Sequence, residues 1–457
     1  MTKISHRLPA ALLLFAALQT NTPFPALADP PAITGSGNFT NGDTTPQVKS
    51  QFDILAAAGA HAMRMSLYPY WYVGPDGTTP VPAKEDAQIL AAHERGVQTI
   101  IIQFEYTGEY AKHPDAPNQL GDANKWKGIG RAFARRFGPN SAFLLSHGIR
   151  DWGVRIFEAM NEADNDQANP IPLTGPSSYF STLEGLADGV HEVDPALAVI
   201  PGGLCTECSS HSHTCNGYAL AIAPLLNNGK LDGLDFHTYN DIKYAPIVQQ
   251  DGQVTFGFSP QAAFDNVKKA CGITRDINFY CTEYNFKSGE QGIDENLAAK
   301  RLLTCIWANL GVVKSDGHTP ATKLALVWNL FNTTAKDKTY GLTANASGDW
   351  APTARGRTLA MVMKLTAGME FAHLDPLGRG EFTLEGNGKR MWVWQNYPAF
   401  SSIAGTRYTV NEIEPGAREL TVYGWDGVRK TVELHGESSM TIDGLRERET
   451  LMFVANQ

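Results

Sequence analysis

The sequence predicts an α/β fold, a (β/α)8 TIM barrel followed by a small C-terminal antiparallel β domain. Three observations carry this. Over residues 29–372, strand-like apolar runs alternate with helix-period stretches, the pattern of parallel strands joined by crossover helices. No Gly-rich phosphate turn follows the first strand, where a doubly wound open sheet normally has one. After Gly368 the texture changes to short alternating segments split by Gly, Asn-Gly and Asp-Gly turns.

Eight strands are expected in order. The first lies near Ile33–Phe39, and the second, Ala62–Leu67, runs into the aromatic cluster Tyr68, Tyr70, Trp71 and Tyr72. Val97–Phe104 is almost continuously apolar, as a strand covered on both faces must be. Gly153–Met160, Ala198–Pro201, Leu234–Tyr239, Ile277–Thr282 and Leu324–Leu330 complete the set. Between them, Thr45 caps and Pro46 opens a helix through Val48, Phe52 and Leu55 that Gly59 stops. Tyr179, Leu183, Leu186, Val190 and Val193 repeat at helical spacing before Pro195, and Asn296–Leu310 is a further helix. Eight such units fit a barrel, which needs about 250 residues before insertions. Residues 373–457 then supply the alternating segments of a β-sandwich-like accessory domain: Phe382–Leu384, Arg390–Trp394, Tyr408–Ile413, Glu419–Tyr423 and Lys430–Leu434. Trp392 and Trp394 share one strand face there. They serve either as a sugar platform or, the favoured reading, to pack this domain on the barrel.

Residues 1–28 have the layout of a secretory signal peptide. Lys3, His6 and Arg7 precede the apolar run Leu8–Leu18, and Ala26-Leu27-Ala28 is an A-x-A cleavage site. No Cys near the cut supports a lipid anchor, and no later segment is apolar for long enough to span a bilayer. A secreted or periplasmic protein is expected. The formal net charge is −9, and −11 without the leader, which disfavours nucleic acid and anionic membranes as partners. Six Cys remain: Cys205, Cys208, Cys215, Cys271, Cys281 and Cys305. An even set in an oxidising compartment points to disulfides. The Cys205–Cys215 loop, with His211 and His213, also offers zinc ligands, but at no standard spacing, so a disulfide-pinned loop is favoured and no metal is assigned.

Active sites of such barrels stand at the carboxyl ends of the strands. Glu162 follows the fourth strand and Glu283 ends the seventh. Cleaving a glycosidic bond needs one group to protonate the leaving oxygen and a second to stabilise or attack the anomeric carbon, and two carboxylates on facing strands can do both. Arg64 in the second strand can keep a neighbouring carboxylate ionised. His237 and Tyr239 share one face of the sixth strand, and either can hydrogen-bond a nucleophilic carboxylate. Trp328 in the eighth can floor a sugar site. A satisfied core histidine and a barrel-filling tryptophan are the plain alternatives for His237 and Trp328.

These segments resemble glycoside hydrolase clan A, the retaining (β/α)8 glycosidases. Asn161-Glu162 is similar to the clan's Asn-Glu pair, and Thr282-Glu283-Tyr284-Asn285 to its nucleophile motif. Asp235-Phe236-His237-Thr238-Tyr239 resembles the sixth-strand motif of family 39, which includes β-xylosidases and α-L-iduronidases. The order Phe137-Gly138, Trp152, Phe157-Glu158, Asn161-Glu162 resembles the same family. Met160 and Ala163 stand where that family usually has Trp and Pro. The resemblance implies double displacement, with Glu162 as acid/base, Glu283 as nucleophile, Asn161 on the sugar 2-hydroxyl and no cofactor. The competing readings are a non-catalytic carbohydrate-binding barrel and a metal-dependent exported hydrolase using the Cys205–Cys215 loop. Sugar, linkage, endo or exo action and oligomeric state are not written in these motifs.

Overall fold

The computed structural model describes residues 38–40, 59, 62–67, 85–104, 121–164, 175–205, 214–238, 247–248, 254–255, 260–286, 288–289, 293–330, 340–343, 351–376, 379–398 and 400–456. The leader, the helix expected from Thr45, Tyr239 and residues 206–213 of the cysteine loop lie outside them.

Two parallel sheets form the first part. One has the order β1 (Asn38–Thr40), β2 (Ala62–Leu67), β3 (Thr99–Phe104), β4 (Val154–Ala159), β5 (Ala198–Pro201). The other runs β11 (Thr322–Val327), β10 (Asn278–Tyr284), β7 (Gly233–His237), β6 (Leu204–Cys205). At the seams β5 lies against β7, and β11 against β2. A small hairpin of β8 (Ile247–Val248) and β9 (Val254–Thr255) stands apart. The strands fall where the apolar runs predicted them, with β6 an extra short piece. β10 extends past Thr282, so Glu283 lies within it.

The helices are α1 (Asp86–Glu94), α2 (Ala123–Phe137), α3 (Ala142–Ser146), α4 (Pro176–Val193), α5 (Thr214–Asn227), α6 (Pro260–Ala270), α7 (Glu295–Leu310) and α8 (Ala354–Thr366). α2 starts where the Asp122 side chain accepts from the Asn124 and Lys125 N–H groups, and it buries Trp126, Ile129, Phe133 and Phe137. α4 buries Tyr179, Leu183, Leu186 and Val190, the residues its spacing marked. The two helices meet backbone to backbone through glycines. A Cβ on Gly189 would lie 2.1 Å from the Lys127 carbonyl oxygen, and one on Gly185 2.2 Å from that of Ala123.

After α8 a six-stranded antiparallel sheet takes over, in the order β12 (Glu370–Asp375), β13 (Glu381–Gly386), β14 (Lys389–Asn396), β19 (Glu449–Asn456), β16 (Glu419–Gly424), β17 (Gly427–Glu433). β15 (Arg407–Asn411) and β18 (Ser439–Asp443) pair separately. One face of the large sheet presents Phe382, Leu384, Val393 and Met452 to the main core, where Phe382 stacks on Trp307 of α7 at 5.9 Å. Gln395 Nε2 donates to the Thr304 carbonyl at 3.1 Å and fixes the same contact. The opposite face holds Trp392 and Trp394. Both are buried within a separate cluster with Tyr408, Leu420 and Phe453, and Trp394 stacks on Tyr408 at 4.6 Å. They form neither a sugar platform nor the seam with the helices. Alternation placed them together, but they face the small β15–β18 layer.

For three of the six cysteines the disulfide expectation needs correction. Cys271, Cys281 and Cys305 are buried free thiols. Two of the sulfurs meet local polar partners: Cys281 Sγ lies 3.3 Å from Thr238 Oγ1, and Cys305 Sγ accepts from Asn309 Nδ2 at 3.3 Å. Burial pushes the Cys305 thiol up to about 12, which leaves it a small core residue. The side chains of Cys205, Cys208 and Cys215 are outside the described set.

Because the α2–α4 crossing leaves no room for a side chain, Gly189→Ala is expected to destabilise the fold by about 1–3 kcal/mol, the usual cost of overpacking. Thermal unfolding of the variant checks this; an unchanged midpoint would refute the backbone contact.

Candidate active site

Side-chain alternation builds the site in two tiers. Ala62, Ile101, Ile156, Ile200, Tyr280, Leu324 and Leu326, drawn from six strands, pack into one inner apolar cluster. Two residues further along the same faces stand Arg64 on β2, Gln103 on β3, Glu158 on β4 and Thr282 on β10, with Asp235 of β7 beside them. The apolar tier therefore forms the floor of a buried polar one.

Arg64 is the hub. Its guanidinium grips both oxygens of Glu158, with Nε to Oε2 at 2.8 Å. Nη1 donates to Glu283 Oε1 at 2.5 Å and Nη2 to Asn161 Oδ1 at 2.8 Å. Arg64 is 1% exposed and Glu158 0%. Burial alone would lower the Arg64 pKa, but Glu158 and Glu283 outweigh it and hold it above its ordinary value. Burial pushes Glu158 up to about 7 against the opposing pull of Arg64.

Glu283 reaches this tier through an irregularity. By strict alternation it would point away from Thr282. The pairing of β10 with both neighbours slips between Tyr280 and Tyr284, and Glu283 turns inward opposite His237. Glu162 arrives through the turn after β4. There Met160 and Glu162 adopt φ of 68° and 47°, and the Glu162 N–H donates to the Gly202 carbonyl at 2.7 Å. Positive φ at two bulky residues marks a backbone bent to aim a side chain.

His237 joins the two glutamates. Its Nδ1 lies 2.8 Å from Glu162 Oε1 and 3.7 Å from Glu283 Oε2, and its Nε2 lies 3.1 Å from Thr282 Oγ1. One ligand atom each from Glu162, His237 and Glu283 lie within 4.8 Å of one another, so the two carboxylates approach to that distance or less. Burial would lower the His237 pKa, but Glu283 and Glu162 raise it to about 9. Behind it, Asp235 accepts from the Thr282 N–H at 2.9 Å, the Thr282 hydroxyl at 2.6 Å and the Gly203 N–H at 3.0 Å. Glu158, Asp235 and His237, and likewise Glu162, His237 and Glu283, meet the spacing of a metal cluster; in the first set the carboxylate oxygens are already bonded to Arg64, Thr282 and Gly203.

Trp328 follows β11, half-buried, its ring edge-on to Tyr340 at 5.0 Å. Asn285 Nδ2 donates to the carbonyls of Trp328 at 2.5 Å and Tyr340 at 2.8 Å, which ties that wall to β10. Of the expected site residues, Arg64, Asn161, Glu162, His237 and Glu283 come together, and Trp328 stands at the end of the neighbouring strand. Tyr239 lies outside the described residues. His237 is fully buried with both ring nitrogens bonded, and its nearer carboxylate is Glu162 rather than Glu283. Glu158 and Asp235 were not marked as site residues. The available signal was an acid inside an otherwise apolar strand, on the face that carries Arg64 and His237.

The overall fold is similar to that of several solved glycosidases. A family 39 glycoside hydrolase from Bacteroides cellulosilyticus matches with TM-score 0.58 and 16% identity over 92% of this chain and 81% of its own. A GH30 endoxylanase from Clostridium papyrosolvens matches with TM-score 0.57 and 14% identity over 93% and 97%. A glucosidase from Croceicoccus marinus matches with TM-score 0.56 and 14% identity over 89% and 92%. No family model matches the sequence, and no curated protein does. The chain thus resembles clan A glycosidases, family 39 among them, in fold.

Arg64→Met should destabilise the protein by about 3–5 kcal/mol, because it leaves the Glu158 carboxylate buried without its cation. Arg64→Lys should restore only part of this, since an ammonium cannot serve Glu158, Glu283 and Asn161 from one plane. Denaturant unfolding of both variants checks the order; wild-type stability in Arg64→Met would refute it.

Proposed function

We propose that this chain is an exported retaining glycoside hydrolase that cleaves O-glycosidic bonds of an oligo- or polysaccharide. In this reading residues 1–28 direct export, residues 29–372 close as a (β/α)8 barrel, and residues 373–457 form an accessory β domain. Support for the barrel comes from the two seams between the parallel sheets and from the inner cluster fed by six strands. The observation that carries the chemistry is the approach of the Glu162 and Glu283 oxygens to within 4.8 Å. Retaining glycosidases hold their carboxyl groups about 5–5.5 Å apart, whereas inverting ones leave about 6.5–9.5 Å for a water.

Glu283 attacks the anomeric carbon while Glu162 gives a proton to the leaving oxygen. The C–O electron pair leaves with that oxygen, and a glycosyl-enzyme forms. Water then attacks the same carbon, Glu162 takes its proton, and the sugar departs with Glu283 again a carboxylate. Arg64 orients Glu283 for attack through the hydrogen bond from Nη1 to Oε1. Asn161, its oxygen held by Arg64, turns its amide to the sugar 2-hydroxyl. Trp328 offers its ring as the floor of the sugar site. The chemistry needs no cofactor.

Glu283→Gln should abolish turnover of aryl glycosides. Glu162→Ala should lower turnover of substrates with poor leaving groups about 100- to 10 000-fold; on substrates with good leaving groups azide should restore turnover, giving a glycosyl azide of retained configuration. NMR of the first-formed product anomer tests the mechanism directly. An inverted product, or near-normal turnover by Glu283→Gln, would sink it.

A further inference from the structure

The hydrogen-bond chain behind His237 has a fixed direction. Two backbone N–H groups, from Thr282 and Gly203, donate one to each oxygen of Asp235. Asp235 is therefore used as an acceptor on both sides. The Thr282 hydroxyl has one hydrogen and spends it on Asp235 Oδ2 at 2.6 Å; its distance to Glu158 Oε1 is 3.5 Å, too long to compete. What Thr282 Oγ1 turns to His237 Nε2 at 3.1 Å is thus a lone pair, and Nε2 must carry the hydrogen. With Nε2 protonated, Nδ1 is the atom left to face Glu162 at 2.8 Å.

We propose that Asp235 is a positioning residue, which acts through the Thr282 hydroxyl to fix His237 with its proton on Nε2 and thereby aims Nδ1 at Glu162. Gly203 completes the device. A Cβ there would lie 1.9 Å from His237 Nε2, so the ring is clamped against bare backbone and cannot flip without displacing it. The charged groups around the ring are Arg64 from β2, Glu158 and Glu162 from β4 and its turn, Asp235 on its own strand, and Glu283 from β10. Of the two glutamates, Glu162 stands within hydrogen-bond reach of Nδ1 and Glu283 is at 3.7 Å.

The catalytic consequence rests on the glycosidase reading. A His237 aimed in this way governs the proton on Glu162 through the cycle: charged, it holds Glu162 as a carboxylate ready to take a proton; neutral, it accepts from a protonated Glu162. Removing the Thr282 acceptor makes the charged ring less favourable. Because His237 is raised to about 9, the basic limb of the pH profile should then move to lower pH.

The test separates the two layers. Histidine-selective 15N labelling of the whole protein, with His237 assigned against His237→Asn, reads the tautomer of the neutral ring at a pH above its titration. The expected result is Nε2–H in the wild type, lost or mixed in Thr282→Val and restored in Thr282→Ser. A wild-type ring protonated on Nδ1, or a tautomer untouched by Thr282→Val, overturns the proposal whatever the activity. Kinetically, Thr282→Val should lose at least about 10-fold more kcat/KM on a phenyl glycoside than on a 2,4-dinitrophenyl glycoside, whose departure needs little acid assistance. Equal losses on both with an unmoved basic limb would show a merely structural role and also overturn it. Wild-type protein that has the Nε2–H tautomer but hydrolyses no glycoside would bear out the positioning role and refute the glycosidase reading alone.

Discussion

The guanidinium of Arg64 lies among buried acids: Glu158 on one side, Glu283 on the other, with Asp235 contributing at longer range. Taking several carboxylates out of water is costly unless each finds a cation or a set of donors. Arg64 is permanently charged and planar, so it satisfies Glu158 bidentately while a separate nitrogen reaches Glu283. Asp235 lies further off and is supported instead by two backbone N–H groups and a hydroxyl. The strands must therefore hold β2, β4, β7 and β10 at fixed mutual registers, or some acid is left buried without compensation. The apolar tier beneath them supplies that rigidity.

Much of this was legible in the sequence, for physical reasons that also explain what was not. Strands buried on both faces are continuous apolar runs, so β2, β3, β4, β5, β7, β10 and β11 stood out. Glu162, His237 and Glu283 stood out because they are polar residues at or just beyond the ends of such runs, and Arg64 because a cation inside an apolar run has to be compensated. Glu158 and Asp235 did not, since they lie inside the runs and their partners come from other strands. The inward turn of Glu283 depends on a slip in strand pairing that a period of two cannot express. The reversed backbone at Met160 and Glu162 likewise has no signature in residue types, because neither is a Gly or an Asn.

The two corrections share one cause. Alternation put Trp392 and Trp394 on one face but could not say which layer that face meets, and the answer is the small β15–β18 pair. Counting cysteines treats them as interchangeable, although Cys281 on β10 and Cys305 on α7 meet polar partners in one buried network and Cys271 stands just beyond α6. Composition and period describe one segment at a time. Which segments meet is decided by backbone approach, as at the glycines that bring α2 and α4 together.

Depth sorts the acids of the site. Glu158 is fully buried, the side chain of Glu283 is 8% exposed, and that of Glu162 is 15% exposed. The deepest is locked to a permanent cation and has no path by which to exchange a proton with a substrate. Glu283, at the middle depth, shares that cation but presents its other oxygen toward His237. Glu162, the outermost, meets His237, a side chain whose own charge can change. A nucleophile needs a constant charge and a general acid needs a variable one. In the proposed reaction Glu283 stands beside the permanent cation, and the more exposed Glu162 stands beside the fully buried His237.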